Sequence, residues 1–140
     1  MDDETMERAK AMAAQRRTEI GRKRYREVMV SDAPAPMTPY LERGVVDAVF
    51  GELWDRTGLS RRDRRFVTLA CVAAAAVEEP IKQHVYAAMA SGDITREEMC
   101  EVVLHFAYYA GWPRASSLEM AYYLAIARID AEATVAAKHA

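Results

Sequence analysis

Apolar residues recur along most of the chain at the three-to-four-residue spacing of amphipathic helices. About six helices are predicted from this spacing and from the residues that interrupt it. In chain order they cover residues 5–29, 39–54, 61–77, 80–91, 96–110 and 113–129. The pattern therefore favours an all-helical fold, a small bundle of about six helices.

Helix start and stop signals support most of these boundaries. Ser60 is suited to cap the third helix, and Thr95 with Glu98 forms the T-x-x-E capping box of the fifth. Gly111 suits the left-handed residue after a helix, and Pro113 suits the start of the next one, where its missing N–H is not needed. The remaining boundaries rest on Thr38 as an N-cap, Pro80 at a first helical position and Gly92 as a stop.

Two helices carry more apolar surface than one core-facing stripe requires. Residues 66–77, FVTLACVAAAAV, are apolar on every face, which predicts that the third helix is central. The last helix has one apolar set that includes Leu118 and Ala125 and a second that includes Met120 and Leu124. We expect one set to face the core and the other a partner subunit, which predicts an oligomer; the alternative is that the monomer covers both.

The chain is organised around one helical domain at residues 39–130. Residues 1–38 precede it as a helical arm and connector, and residues 131–140 follow as an Ala-rich tail. The arm is strongly charged, with Ile20 and Val28 among its few apolar residues. It is expected to lie over a neighbouring surface, and an arm that reaches another subunit fits the same pattern.

Composition agrees with one globular helical domain. Of 140 residues, 51% are hydrophobic, whereas Gly and Pro number only 6 and 5. The formal net charge of −2 provides no basic field, so neither nucleic acid nor an anionic membrane is an expected partner. The chain has no apolar run of about 18 residues and starts with MDDETMERAK rather than a signal sequence, which predicts a cytoplasmic protein.

The two cysteines, Cys71 and Cys100, lie far apart within apolar helical segments. Neither has a partner at metal-ligand or redox spacing. Both are therefore predicted to be small buried hydrophobic residues.

One histidine lies within an apolar stripe. Ile81, His84, Val85 and Ala88 follow the i, i+3, i+4, i+7 pattern, which places His84 on the buried face of its helix. Two interpretations stay open. His84 is either a core histidine whose N–H bonds a backbone carbonyl, or a general acid or base in a pocket, with a pKa set by burial and by any nearby carboxylate.

The other two histidines have different settings. His105 shares a stripe with Glu101 and Tyr108, beside the core stripe of its helix, so a surface or interface Glu-His pair is expected. His139 lies in the tail and is expected to be inert.

Arginines crowd the start of the third helix in the run SRRDRR, residues 60–65. Such residues are usually solvated, and at a helix start they work slightly against the dipole. They make more sense if an anion is bound there, because guanidinium groups make bidentate contacts with carboxylates. The candidate anion-binding residues are Arg61, Arg62, Arg64 and Arg65. The aromatic candidates for either core or pocket lining are Trp54, Tyr86, Tyr108, Tyr109 and Trp112.

Three segments of the sequence together resemble a known protein family. They are LWDRTGLSRRDRRFVTLACVAAA, IKQHVYAAMASGDITREEM and EVVLHFAYYAGWPRA. In this order and spacing they resemble the carboxymuconolactone decarboxylase family over roughly residues 41–129, and IGRKRYREVM is similar to the start of full-length members. The resemblance implies an all-helical, alkylhydroperoxidase D-like fold. It also implies rings of three or six subunits built from dimers, and no metal or organic cofactor.

The same fold includes alkylhydroperoxidase D-like proteins, which carry a C-x-x-C pair shortly before a histidine. Counted back from His84, those two positions hold Val77 and Pro80. Cys71 alone cannot form the dithiol that reduces peroxide. A thiol peroxidase is therefore a poor interpretation.

The resemblance implies instead a cofactor-free decarboxylase of the γ-carboxymuconolactone type in aromatic-compound catabolism. Its substrate would be a small anionic lactone bearing two carboxylates. Loss of CO₂ pushes electrons through the ring double bond onto the lactone carbonyl, and the resulting dienolate has to be stabilised and then protonated on carbon.

Residue roles follow from the same resemblance. Arg65, or failing that Arg62, would hold a substrate carboxylate, and His84 would donate a hydrogen bond to the enolate oxygen or deliver the proton. Glu79 would supply the acid that members often carry one turn before the histidine, because Pro80 occupies that slot here. The apolar walls that desolvate the departing carboxylate would include Trp54, Tyr109 and Trp112.

Two alternatives stay open. The chain is either a related cofactor-free enzyme acting on another small acid, or a non-enzymatic helical assembly module in which His84 is a satisfied core residue. An enzyme should place His84 and an arginine at one concave site, whereas a module should leave them apart or fully bonded internally.

Overall fold

The computed structural model describes residues 2–139, and within them it contains six helices and no strand. We number the helices α1 to α6 in chain order. They span Asp3–Met29 (α1), Tyr40–Leu53 (α2), Arg61–Ala75 (α3), Glu78–Ala90 (α4), Arg96–Ala110 (α5) and Trp112–His139 (α6). The predicted all-helical fold is confirmed. Residues 1 and 140, the outer ends of the predicted arm and tail, lie outside the described residues.

The short-range capping signals are confirmed. The Ser60 side chain accepts the Asp63 N–H at the start of α3, and Thr95 and Glu98 form the complete capping box of α5. The Thr38 hydroxyl accepts the Leu41 N–H at 3.2 Å at the start of α2. Each of these contacts links residues three apart, so the local sequence alone determines it.

Several helix limits differ from the prediction. α4 begins at Glu78 rather than at Pro80. Pro80 is tolerated inside the first turn because the N–H groups of that turn lack helical partners. α6 continues to His139 instead of ending near residue 129, since its Ala-rich end has high helix propensity. Helix α2 is a π-helix, and the Trp54 N–H that follows it donates to the Val49 carbonyl, five residues back, at 2.9 Å.

The chain divides into two compact units between Leu59 and Ser60. In the first unit α1 packs on α2, the helix that the sequence assigns to the start of the 39–130 domain. A small core holds the two helices together, and its buried residues are Val28, Met29, Phe50 and Trp54. The domain limits of 39–130 stay a prediction.

The second unit contains α3 to α6 around a larger core. Helix α4 contributes its predicted stripe, with Ile81, Val85 and Ala88 buried, and α5 contributes Met99 and Phe106. Gly92 and Gly111 allow the turns that close α4 and α5, because both adopt positive φ angles, of 75° and 95°. The pattern of apolar positions therefore predicted the buried face of α4.

Two predictions about burial in the second unit are wrong. Helix α3 is not covered on every side: Leu69 and Ala73 are buried, whereas Val67 on another face is 53% exposed. Cys71 and Cys100 are both exposed rather than buried. An apolar pattern identifies surface that favours burial, but it does not show whether the same chain or another chain buries it.

The two apolar faces of α6 behave differently. Leu118 and Ala125 are buried in the core of the second unit, whereas Met120 and Leu124 are 56% and 46% exposed. The first set is confirmed as the core face. The second remains available for a partner subunit, and the oligomer stays a prediction. Within residues 2–139, no helix has both the length and the apolarity that crossing a membrane requires.

Gly21 is predicted to be essential to the first unit, because a Cβ there would lie 2.1 Å from the Val46 carbonyl oxygen. Gly21→Ala should lower the free energy of unfolding by at least about 2 kcal/mol, since backbone would have to move. Gly44→Ala is the matched control, because nothing lies within 4 Å of its added Cβ, and it should not destabilise the unit. Urea unfolding followed by Trp54 fluorescence, in a Trp112→Phe background, measures both. Equal stabilities for the two variants would contradict the proposed close approach.

Candidate active site

His84 lies on the buried face of α4 but is itself only partly covered. Ile81 and Val85 beside it are 1% and 0% exposed. Within residues 2–139 the His84 imidazole makes no hydrogen bond, so the backbone-bonded core histidine considered from the sequence is not what the structure contains. His84 therefore retains donor and acceptor capacity for a ligand.

The surroundings of His84 keep its imidazole neutral. Burial, together with the positive charge of Arg65, lowers the pKa of His84 from 6.5 to about 4. Both causes disfavour the imidazolium form, because a charged ring would lose hydration and meet a like charge. At neutral pH His84 is therefore a hydrogen-bond donor at one nitrogen and an acceptor at the other.

Arg65 is the most deeply buried charged residue of the second unit, at 1% exposure. Its Nε donates to Asp93 Oδ2 at 3.0 Å, and its Nη2 donates to Ser91 Oγ at 3.2 Å. Arg65 heads the buried stripe of α3 that continues with Leu69 and Ala73. A substrate carboxylate that contacted this guanidinium directly would have to displace one of these partners.

Asp93 completes the buried ion pair. Burial alone would raise the pKa of Asp93, but hydrogen bonds from Arg61 and Arg65 outweigh burial and hold it below its usual value. The Arg61 Nη2 donates to Asp93 Oδ1 at 2.7 Å, so the two carboxylate oxygens serve two different arginines. Asp93 is therefore ionised wherever the protein is folded near neutral pH.

Arg62 points to a different carboxylate. Its two terminal nitrogens donate to the Glu98 oxygens at 2.9 and 2.5 Å, and its guanidinium lies 5.1 Å from the centre of the Phe66 ring. Nearly half of the Arg62 side chain, 46%, is exposed. The anions at the start of α3 are thus carboxylates of the chain itself, and Arg62 is the more accessible of the two candidate substrate-binding arginines.

Glu79 lies in the first turn of α4 and is exposed. Its carboxylate accepts a long hydrogen bond from the Gln83 amide, at 3.4 Å. Five residues separate Glu79 from His84, which places them about 140° apart around the helix. The structure therefore does not bring Glu79 and His84 onto one face.

The aromatic candidates are distributed over separate places. Trp54 is buried in the core of the first unit, where it stacks on Phe50 with ring centres 6.2 Å apart. Tyr109 is 85% exposed and stacks on His105 at 4.8 Å, and Trp112 is 63% exposed. Within the second unit, neither Tyr109 nor Trp112 is placed beside His84 by a described contact.

Two grooves of the second unit receive the exposed aromatic residues. A groove of about 790 Å³ between α3 and α5 is lined by His105 and Tyr109 over an apolar floor. A smaller one of about 210 Å³ between α5 and α6 is lined by Trp112 and Cys100. Neither groove is lined by His84, Arg62 or Arg65, so neither is the concave site joining His84 to an arginine that is expected of an enzyme. Within residues 2–139 no group of three or more His, Cys, Asp or Glu side chains is arranged to hold a metal ion.

The sequence made His84 and Arg65 candidates but did not indicate the two side chains that hold Arg65. Asp93 and Ser91 lie in and beside the turn that ends α4. Their residue types suit a turn, so nothing local marked them. The one available signal was Arg65 itself, because an arginine at the head of a buried stripe requires an acidic partner.

The lowered pKa of His84 predicts a specific loss of stability in acid. The unfolded chain binds a proton to His84 near pH 6.5 and the folded protein only near about pH 4, so stability falls as pH drops through this window. Relative to His84→Leu, the wild type should lose about 2 kcal/mol of unfolding free energy between about pH 7 and about pH 5. Urea unfolding of both proteins across this range measures the difference. Parallel pH profiles would contradict the neutral His84.

Comparison with known proteins gives the site its context. Residues 39–122 match the carboxymuconolactone decarboxylase family, beginning where the sequence places the start of the domain. Over 68 residues the chain is 37% identical to a 4-carboxymuconolactone decarboxylase of Acinetobacter baylyi, and this aligned segment covers 49% of this chain and 50% of that protein. Over 87 residues it is 31% identical to a nitrosuccinic acid decarboxylase of Metarhizium robertsii, and this second aligned segment covers 60% of each protein.

The chain therefore aligns with about half to three fifths of the length of these two curated relatives. The family match is broader, because it includes all of α2 to α5 and the first part of α6, and with them His84 and Arg65. On this match and on its all-helical fold, the chain belongs to the carboxymuconolactone decarboxylase family.

Proposed function

We propose that the protein is a carboxy-lyase that removes CO₂ from a small dicarboxylate with a built-in electron acceptor, without an organic cofactor. The observation that carries this proposal is His84, a neutral, partly buried imidazole with free hydrogen-bonding capacity that feels the positive charge of the buried Arg65 guanidinium. A neutral donor in the field of a fixed positive charge is suited to stabilising an oxyanion that forms during a reaction.

The substrates in the relatives' names share one chemical property. Loss of CO₂ from 4-carboxymuconolactone leaves electrons that the conjugated lactone carbonyl accepts, and in nitrosuccinic acid the nitro group can accept them. In each compound the negative charge moves from the departing carboxylate to an oxygen of the acceptor group. The enzyme then has to stabilise that oxygen, after which the carbon takes a proton derived from solvent.

We assign His84 to this oxygen. With a pKa of about 4, about one His84 in a thousand carries an extra proton at pH 7, so the ring is a poor source of protons. Its neutral N–H can donate a hydrogen bond at every turnover. Of the two roles that the sequence left open, hydrogen-bond donation is therefore the one we propose.

The arginines are proposed to handle the substrate carboxylates. Arg65 supplies a fixed positive potential that attracts an anion towards His84. Arg62 is the proposed direct contact, because its exposed guanidinium can exchange Glu98 for a substrate carboxylate without uncovering a buried charge. This reverses the order of preference that the sequence suggested.

The other candidates keep weaker support. Tyr109 and Trp112 are too exposed in the single chain to exclude water, so their role as walls requires a cover by substrate or by another subunit. The exposed second face of α6 supports an assembly, which we propose to be a trimer or hexamer. Glu79 remains a candidate acid only if the first turn of α4 rearranges.

Assays with two substrates distinguish a decarboxylase of aromatic-compound catabolism from a related enzyme acting on another small acid. Turnover of γ-carboxymuconolactone would support a place in aromatic-compound catabolism. Turnover of nitrosuccinic acid instead would support the related enzyme acting on another small acid, a possibility that the Metarhizium relative favours.

The proposal predicts that His84→Leu lowers kcat by at least about 100-fold, the usual effect of removing one oxyanion donor. His139→Leu is the matched control, because it makes the same change on an exposed histidine near the end of α6, and it should not change turnover. Loss of lactone absorbance, measured beside CO₂ release, reports on both variants. Absence of wild-type turnover above the spontaneous rate with both substrates would contradict the proposed function, and full activity of a folded His84→Leu would contradict the role of His84.

A further inference from the structure

We propose that Asp93, assisted by Ser91, is a positioning residue: together they hold the Arg65 guanidinium against the face of α4 that carries His84. The inference rests on the proposed function, in which His84 contacts the substrate. Asp93 itself contacts no reacting atom in this account, and it acts on His84 only through Arg65.

His84 and Ser91 lie on one side of α4. Ser91 follows His84 by seven residues, with Ala88 between them, so the three share a helix face. The Ser91 Oγ accepts from Arg65 Nη2 at 3.2 Å and donates to the Ala88 carbonyl at 3.2 Å. Arg65 therefore reaches across from α3 to the end of this face, about two turns beyond His84.

Asp93 locks this arrangement from the turn beyond α4. Its Oδ2 accepts from Arg65 Nε at 3.0 Å, and its own N–H donates to Ser91 Oγ at 3.4 Å. Arg61, which is exposed, occupies the other carboxylate oxygen. The carboxylate is thus fixed on both sides, and it fixes the position of the buried guanidinium in turn.

Arg65 is the charged group that acts on His84. Helices α3 and α6 pack against α4, and of the charged side chains they carry, Arg65 is the one that shifts the His84 titration. Among the charged residues on the other sides of α4, Arg128 and Glu132 of α6 engage each other and Tyr86, and Lys82 pairs with Glu78. Glu79 accepts from the Gln83 amide. A change in the placement of Arg65 should therefore change the protonation of His84.

Loss of the Asp93 charge should release Arg65. Burying a guanidinium is unfavourable, and Asp93 supplies the negative charge bound to Arg65 Nε, so Arg65 should turn towards water in Asp93→Asn. Its positive charge then leaves His84 and water enters, and both changes favour the imidazolium. The pKa of His84 should rise from about 4 by at least about one pH unit, towards its ordinary 6.5.

The experiment is a pH titration of His84 by NMR on protein labelled at the histidine rings, with the signal assigned by its absence in His84→Leu. Asp93→Asn is compared with Glu98→Gln, which removes a carboxylate charge from the neighbouring Arg62 pair but can still accept the Thr95 N–H. The expected result is a raised His84 pKa in Asp93→Asn and an unchanged one in Glu98→Gln. An unchanged or lowered pKa in folded Asp93→Asn would overturn the proposal.

A second comparison tests whether Asp93 acts through Arg65. In an Arg65→Gln background, where the pKa of His84 should already be raised, adding Asp93→Asn should cause little further change. Two independent, additive shifts would overturn the proposed route. If Asp93→Asn does not fold, Ser91→Ala replaces it: a smaller rise in the His84 pKa supports the proposal, and no rise overturns it.

This readout separates the inference from the function on which it rests. The titration needs no substrate, so its outcome is obtained even if neither dicarboxylate is turned over. A His84 titration that depends on Asp93 in a protein without turnover would retain the positioning role and reject the proposed function. Turnover in a protein whose His84 pKa does not depend on Asp93 would retain the proposed function and reject the positioning role.

Discussion

Arg65 is charged near neutral pH although burial lowers the pKa of its guanidinium, and it lies at 1% exposure at the head of the inner stripe of α3, so its neighbours have to supply negative charge. Asp93 supplies it from the turn after α4, and Ser91 satisfies a second N–H. Removing one partner of such a pair typically destabilises a protein by about 3–5 kcal/mol. The ion pair therefore fixes how the end of α4 lies against the start of α3.

The same charge defines the chemistry available to the second unit. Burial of His84 on α4 and the positive charge of Arg65 both lower the pKa of His84, so its imidazole binds a second proton only weakly. The result is a donor that stays neutral while an anion approaches it. Hydrogen-bond donors that are already oriented when charge develops stabilise it without reorganisation, which is the basis of the proposed decarboxylation.

Much of this architecture was predictable because it is local. Ser60 and Thr95 cap helices through residues three positions away, and His84 was placed on a buried face by helical spacing alone. The partner of Arg65 was not predictable, because Asp93 is 28 residues away and several other carboxylates suited the role equally well. The exposed face of α3 was wrongly predicted for a related reason: a pattern of residue types does not distinguish a core from an interface.

The protonation state of His84 in the wild-type protein tests this account most directly. The ¹⁵N chemical shifts of the two ring nitrogens, measured at about pH 5.5, distinguish a neutral imidazole from an imidazolium, because an ordinary histidine is mostly charged at that pH. A neutral His84 should show one protonated and one unprotonated nitrogen, with clearly separated shifts. Two similar shifts, from a ring protonated at both nitrogens, would contradict it.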